Sequence, residues 1–243
     1  MKFGLFSFAF LTASAVALPQ ALSKRGSPVP SQLPANVPAV DSHAEVVDVY
    51  TSKKTVSKTI TKINAVEVTK SAGVVKVFSI AVSQVKVQTS AISHVVKSFK
   101  AGTITKAVAI TKIHQHFGIL NKLLTAVVCQ LTDVISVKIS AVDVKTILSL
   151  VIELVQVVVA CAKEVTGVLG LDNVLCSVQD ILFQTLATLL KLVTGLIGDI
   201  VPGLVDTLSS ILGTLKNSPL GPVVKPVSGV VVTLTGYLGQ GNA

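Results

Sequence analysis

The sequence predicts an all-α protein, an antiparallel helical bundle of about five long amphipathic helices followed by short C-terminal helices. Apolar residues recur at alternating spacings of three and four, which is the period of a helix and not of a strand. Small polar residues, glycine and proline interrupt these rows after stretches of about 20 to 30 residues, several helical turns each. Hydrophobic residues make up 50% of the 243 residues and charged residues 14%, so the rows can supply a large core.

The first helix is predicted to begin at Ser42-His43-Ala44-Glu45, a capping-box pattern that satisfies the first free amides of a helix. Its apolar row is weak and consists of Val49, Val56, Ile60 and Ile63. The second helix has a heptad row of Phe78, Val85, Ile92 and Phe99, with Val74, Ala81 and Val95 beside it and Lys76, Ser83, Ser90 and Lys97 opposite. Valine, isoleucine and threonine favour strands intrinsically, but this periodicity predicts helix.

Three further rows predict the third, fourth and fifth helices. Their members are Ile110, Ile113, Phe117, Leu120, Leu124, Val127, Leu131 and Val134; then Val144, Ile147, Val151, Leu154, Val158 and Cys161; then Leu175, Val178, Leu182, Leu186, Leu189, Val193 and Leu196. Breaks are predicted at Ser71-Ala72-Gly73, at Ala101-Gly102-Thr103, around Ser140, at 167–173, at Val201-Pro202-Gly203 and at 217–226. A short helix over 204–215 and a tail complete the chain.

The N-terminus predicts export. Lys2, an apolar run and the cleavage pattern Ala15-Val16-Ala17 are typical of a secretory signal peptide, assigned to residues 1–17. Residues 18–41 are interpreted as a processed, proline-rich leader, in which Leu22-Ser23-Lys24-Arg25 is a dibasic site for a kexin-type protease. The expected location is therefore extracellular, in the medium or the cell wall.

Charge divides the remainder into a basic half, 42–136, and an apolar half, 137–243, which are predicted to pack as one domain. Between Lys53 and Lys122 there are twelve lysines and one acid, Glu67. Lys54, Lys58 and Lys62 form a row at i,i+4 spacing that favours a counter-charge. We interpret this row as a possible contact for an anionic wall polymer or membrane surface, the alternative being a solvated face. A nucleic acid is not expected, because the chain is exported and poor in base-stacking aromatic residues.

Two stretches, 146–162 and 181–205, are apolar enough to consider as membrane spans. Polar residues, however, fall on one strip of each predicted helix, which indicates that this face meets water. The strips are Lys145, Ser149, Glu153, Gln156 and Lys163 in one helix and Asp180, Gln184, Ala187 and Lys191 in the other. A water-soluble bundle is therefore favoured over an integral membrane protein.

No catalytic, cofactor-binding or metal-binding constellation is predicted. Cys161 and Cys176 flank a short loop and are the favoured disulfide pair, which leaves Cys129 as a free thiol or an intermolecular partner. His114 and His116 are two residues apart, hence on different helix faces, and are expected to be solvated or at the edge of an apolar face.

The signal peptide, the Leu-Ser-Lys-Arg processing site and the valine-, leucine-, serine-, threonine- and lysine-rich helical body resemble small secreted proteins of filamentous fungi. In general character the chain is similar to the hydrophobic-surface-binding and cell-wall mannoprotein group. The resemblance implies a helical, exported protein that binds lipids or apolar surfaces, and it transfers no individual site residue. Three cysteines do not fit the eight-cysteine pattern of hydrophobins.

The expected function is that of a secreted, non-enzymatic structural or surface-binding protein whose partner is an apolar surface or lipid. Apolar residues cover more than half of the helix circumference, which favours this function. Such wide apolar faces can pack against each other as a core or contact an external apolar surface or lipid. The alternative is a membrane-active protein whose basic helices dock on anionic lipid. An enzyme with a site assembled from scattered residues is a third possibility, with Cys129 as its best candidate.

Overall fold

The computed structural model describes residues 42–132, 134, 137–170, 173–197, 202–216 and 218–240, with no side chain described at 42–48, 202–203, 215–216 and 233–240. The predicted signal peptide, the leader and the Lys24-Arg25 site lie outside these residues, as does the side-chain geometry of the capping box at Ser42. Residues 41–243 form one compact unit.

The described residues form seven helices and no strand, which confirms the predicted all-α bundle. The helices are α1 (Ser42–Asn64), α2 (Ser71–Lys100), α3 (Lys106–Thr132), α4 (Ala141–Leu169), α5 (Asn173–Ile197), α6 (Pro202–Lys216) and α7 (Lys225–Gln240). The first five are the long amphipathic helices predicted from the apolar rows, and α6 and α7 are the short C-terminal ones.

The apolar rows form the core. In α3, Ile113, Phe117, Leu120 and Leu124 are fully buried, as their alternating spacing predicts. The predicted rows of α2, α4 and α5 lie in the same continuous core, and Phe78, Phe117 and Phe183 are its largest fully buried side chains. The wide apolar faces of α2 to α5 therefore close mainly on each other.

Helices α2, α3, α4 and α5 form the centre of the bundle. The most extensive packing is between α2 and α4, between α3 and α5, and between α2 and α3, whereas α4 and α5 touch only sparsely. Helix α1 packs on α3 and, less, on α2, while α6 lies on α4 and α7 on α5. The N-terminal helix thus covers one side of the central four, and the α6–α7 pair covers the other.

Polar contacts between helices show their relative directions. His116 of α3 meets Gln88 of α2 across a turn near residue 102, so these two helices are antiparallel. Helices α2 and α4 are parallel, because their partners are consistently about 70 residues apart: Ser71–Asp143, Lys86–Glu153 (2.5 Å) and Ser93–Glu164 (3.1 Å). Helices α2, α3 and α4 therefore alternate in direction along the chain, which agrees with the predicted antiparallel arrangement for these three helices.

Of the six predicted breaks, those at 101–103, around Ser140, at 167–173 and at 217–226 overlap connectors between helices. Helix α6 begins within the break at 201–203, and the break at 71–73 is wrong. Gly102 adopts a positive φ of 71° in the α2–α3 turn, and Ser140 caps α4 by accepting from the Asp143 amide. Ser71-Ala72-Gly73 does not interrupt a helix, because α2 begins at Ser71. Glycine is required at 73 because the preceding connector passes so close that a Cβ there would lie 2.4 Å from the Glu67 carbonyl oxygen.

The polar strips of α4 and α5 lie at the surface, as expected. Lys145, Ser149, Gln156 and Lys163 are exposed, and Ala187 is the one strip position that is buried. By length and composition alone, α4 and α5 could each cross a membrane, a property that the core helices of a water-soluble protein share.

Candidate functional site

The predicted lysine row lies on the outward side of α1. Lys54, Lys58 and Lys62 are all exposed. Within the described part of the chain, no carboxylate pairs with any of the three. The row therefore presents a continuous positive surface, which we call the α1 lysine face.

The predicted disulfide is not formed, since all three cysteines are free thiols in the structure. Cys161 lies eight residues before the end of α4 and Cys176 only three residues after the start of α5. In a hairpin this offset of five residues separates them by about 7 Å along the axis, in addition to the distance between the helices, which exceeds disulfide reach. Burial, reinforced by the charge of Glu164, raises the pKa of the Cys161 thiol to about 12.

Cys129 is exposed on α3, as expected of the free thiol. The histidines divide as their spacing predicts, with His114 at the surface and His116 on the inner face of α3. The expectation that His116 would be solvated or at an edge is wrong, because it is fully buried. Among the described residues, no group of three or more His, Cys, Asp or Glu side chains could hold a metal ion.

His116 belongs to a set of polar residues inside the bundle. Its Nδ1–H donates to Gln88 Oε1 at 3.1 Å, and Gln88 is itself 1% exposed. One turn earlier in α2, Gln84 accepts from the Thr59 hydroxyl of α1 at 3.1 Å. These bonds join α1, α2 and α3 through otherwise apolar surroundings, where an unmade hydrogen bond is costly.

Gln179 of α5 is another polar residue buried inside the bundle. On the same helix, the Thr185 hydroxyl donates to Asn121 Oδ1 of α3 at 2.7 Å. Gln179 is fully buried, and neither of its amide atoms has a hydrogen-bond partner among the residues that the structure describes.

A groove between α1 and α3, here called the α1/α3 groove, combines apolar and charged lining residues. Its upper part has a volume of about 480 Å³ and is lined by Val49, Tyr50 and Lys53 of α1 and by Ala107, Val108, Thr111, Lys112 and Gln115 of α3. Its lower part, about 390 Å³, adds Val56, Ser57 and Ile60 of α1 and His114, Gly118, Ile119 and Lys122 of α3. Lys53 and Gln115 line both parts, so the groove is continuous.

The α1/α3 groove has an apolar floor and a cationic rim. Val49, Val56 and Ile119 are buried beneath it, while Lys53 and Lys122 are exposed. From Ala107 to Lys122 it follows α3 for fifteen residues, about 22 Å. No described carboxylate lines it. An apolar chain can lie along such a floor while an anionic group meets the ammonium groups at its edge.

The α1/α3 groove could not be predicted from local sequence patterns. Its two walls come from helices separated in the chain by all of α2, so no local spacing brings Lys53 near Lys122. The available signal was the weakness of the α1 apolar row, since a helix with few apolar residues covers its neighbour incompletely.

A second cavity of about 700 Å³ lies between α6, α7 and their connector. Leu212, Val224 and Val231 contribute apolar surface, and Lys225 is the one charged residue among its described lining residues. It lacks the paired cationic rim of the α1/α3 groove.

No protein-family model, no curated protein and no solved structure matches this chain. Function must therefore be inferred from the chemistry of the surfaces themselves.

Proposed function

We propose that this chain is an exported, non-enzymatic protein of the extracellular space or cell wall that binds lipids or other apolar surfaces. The observation that carries the proposal is the α1/α3 groove, which combines an apolar floor with a lysine rim. We assign it as the site for an amphiphile with one apolar chain and an anionic head.

The dimensions of the groove suit such a ligand. Each leaflet of a bilayer is about 15 Å of hydrocarbon, half of the roughly 30 Å core, so one lipid chain extends over about that length. The groove follows α3 for about 22 Å, which accommodates the chain and leaves room for the head. Lys53 lies at the middle of the groove and Lys122 at its lower end, so a head group can meet a cation at more than one position.

The residues that line the α1/α3 groove support the proposal that the protein is not an enzyme. Acid–base catalysis needs groups of suitable pKa placed within hydrogen-bond reach of a substrate. The described lining offers lysines, Ser57 and His114, but it contains no carboxylate to orient the histidine and no cysteine. Cys129, the best sequence candidate for a nucleophile, does not line either part of the groove.

Gly118 allows a direct test, because it lines the groove and a Cβ at this position meets nothing within 4 Å. Gly118→Leu should fill the groove, and it also replaces a poor helix former by a good one. Gly167→Leu is the matched control, since Gly167 is an equally open helical position in α4, away from the groove. We expect a fluorescent long-chain fatty acid to bind the wild type and Gly167→Leu alike, and Gly118→Leu at least tenfold more weakly.

The role of charge is tested with Lys53→Glu, for which Lys145→Glu on the outer strip of α4 is the control. Lys53→Glu should weaken binding of the fatty acid but not of the corresponding uncharged alcohol. If neither probe binds the wild type, or if Gly118→Leu binds both normally, the groove is not the site and the proposal fails.

Export is tested by the intact mass of the protein secreted from a eukaryotic host. We expect a chain that begins at Gly26, after the Lys24-Arg25 site. Retention of the full chain in the cell would contradict this part of the proposal.

A further inference from the structure

We infer that the α1 lysine face is a docking surface for anionic lipid bilayers, and that it orients the mouth of the α1/α3 groove toward the membrane. Ligand binding in the groove does not require this step. The choice of a bilayer as partner rests in part on the proposed lipid-binding function.

The first observation is the one-sided charge of the part of α1 that follows Asp48. Between Val49 and Val66 there are four lysines and no acid. Three of these lysines, Lys54, Lys58 and Lys62, repeat at i,i+4 on the outward side, where like charges repel each other. The partner that relieves this repulsion is an extended negative surface rather than a single carboxylate, because the row covers two turns of helix.

The second observation is an aromatic side chain at the end of this row. Tyr50 is 66% exposed and lies one turn before Lys54, so the two are neighbours on the helix surface. Tyrosine has an apolar ring and a polar hydroxyl, and it is enriched where membrane proteins cross the head-group region.

The third observation is continuity with the groove. Tyr50 and Lys53 line its upper part, and Lys54 follows directly in the chain. A bilayer that contacts the α1 lysine face therefore also meets the groove mouth, so an amphiphile can pass between bilayer and groove without crossing open water. These three features together favour an anionic membrane over an anionic wall polymer.

The docking test uses the full secreted protein and vesicles of phosphatidylcholine with and without phosphatidylserine. We expect binding to the anionic vesicles only, and weaker binding at high salt because exposed charges are screened. Each lysine near an anionic surface strengthens binding about fivefold, so the triple variant K54Q/K58Q/K62Q should bind about a hundredfold more weakly. The control K145Q/K163Q/K191Q removes the same charge from exposed positions on α4 and α5 and should weaken binding less than about tenfold.

The orientation of the protein on the bilayer can be measured separately by tryptophan fluorescence, because the chain contains no tryptophan of its own. Tyr50→Trp should show a blue-shifted emission on anionic vesicles. Val142→Trp, at an exposed position at the start of α4, should not.

The inference is overturned if both triple variants weaken binding equally, if the wild type does not bind anionic vesicles, or if the emission of Tyr50→Trp does not shift on them. Equal or stronger binding to an anionic polysaccharide, with the same dependence on Lys54, Lys58 and Lys62, would replace the bilayer by a wall polymer. The fatty-acid titration separates the two proposals, since K54Q/K58Q/K62Q should bind the soluble probe like the wild type. A wild-type protein that binds the soluble probe but no anionic vesicle would refute this inference and leave the proposed function standing.

Discussion

Replacing Gln179 by methionine is expected to make the protein more stable. The side chain is fully buried in α5, and both of its amide atoms lack a hydrogen-bond partner within the described part of the chain. Burying an amide without its hydrogen bonds costs about 1–3 kcal/mol in proteins. Methionine is unbranched and of similar length, so it removes the amide and leaves little empty space.

The magnitude follows from that penalty. We expect Gln179→Met to raise the free energy of unfolding by about 1–3 kcal/mol. For a chain of this size, the melting temperature should then rise by roughly 2–10 °C.

Gln88→Met is the matched control, with the same substitution at a residue that is 1% exposed. Gln88 accepts from the buried Nδ1–H of His116 at 3.1 Å, so its loss takes away a partner from a buried polar group. This variant should lose about 1–3 kcal/mol.

Urea unfolding followed by circular dichroism gives both values, with the slope of the transition as a check that the unfolded state is unchanged. Opposite signs for the two variants are the expected outcome. If Gln179→Met is destabilised to the same degree as Gln88→Met, the Gln179 amide is satisfied in solution, for example by a buried water molecule, and the reasoning is refuted.

Three further expectations concern the core, the thiols and the α4 cap. Leu124→Ala removes a fully buried side chain and should cost about 2–5 kcal/mol in urea unfolding, and a loss below 1 kcal/mol would contradict its central place. Iodoacetamide at mildly alkaline pH should label exposed Cys129 rapidly and buried Cys161, whose pKa is raised to about 12, only on unfolding, as peptide mass mapping would show; equal rates would contradict this. Hydrogen bonds from Ser71 and then Ser140 lower the pKa of the Asp143 carboxyl in the folded state, so its ionised form adds stability above the pKa of an unfolded aspartate. The stability gap between wild type and Asp143→Ala should therefore narrow as the pH falls through the folded pKa, and a gap that widens toward acid would refute the assignment.

The helices could be predicted from the sequence because their signal is local. The period of the apolar row that contains Ile113, Phe117 and Leu120 depends only on chain geometry, and burial of that row confirmed it. The same holds for the outward strip of α4. The breaks between helices were harder to predict. Gly73 was interpreted as an interruption, whereas glycine is needed there because the Glu67 carbonyl oxygen lies where a Cβ would be.

The burial of two polar residues could be predicted in part from the sequence. His116 lies between Ile113 and Phe117 in the apolar row of α3, and Gln88 lies between Val85 and Ile92 in that of α2. Their helix positions therefore indicated the core, but a single sequence did not show that each would find the other as a partner. The α1/α3 groove could not be predicted, because its position depends on which helix α1 packs against.

The parallel alignment of α2 with α4 has a consequence for how the chain folds. The Gln88–His116 contact closes a loop of 28 residues, whereas Ser71–Asp143 and Ser93–Glu164 close loops of 72 and 71. Loop closure costs more entropy as the loop lengthens, and non-local contacts slow folding. We expect the α2–α3 hairpin to acquire protection from hydrogen exchange before α4 docks on it. Because a chain is synthesised from its N-terminus, this hairpin could form, with α1 beside it, before α4 and α5 have been made.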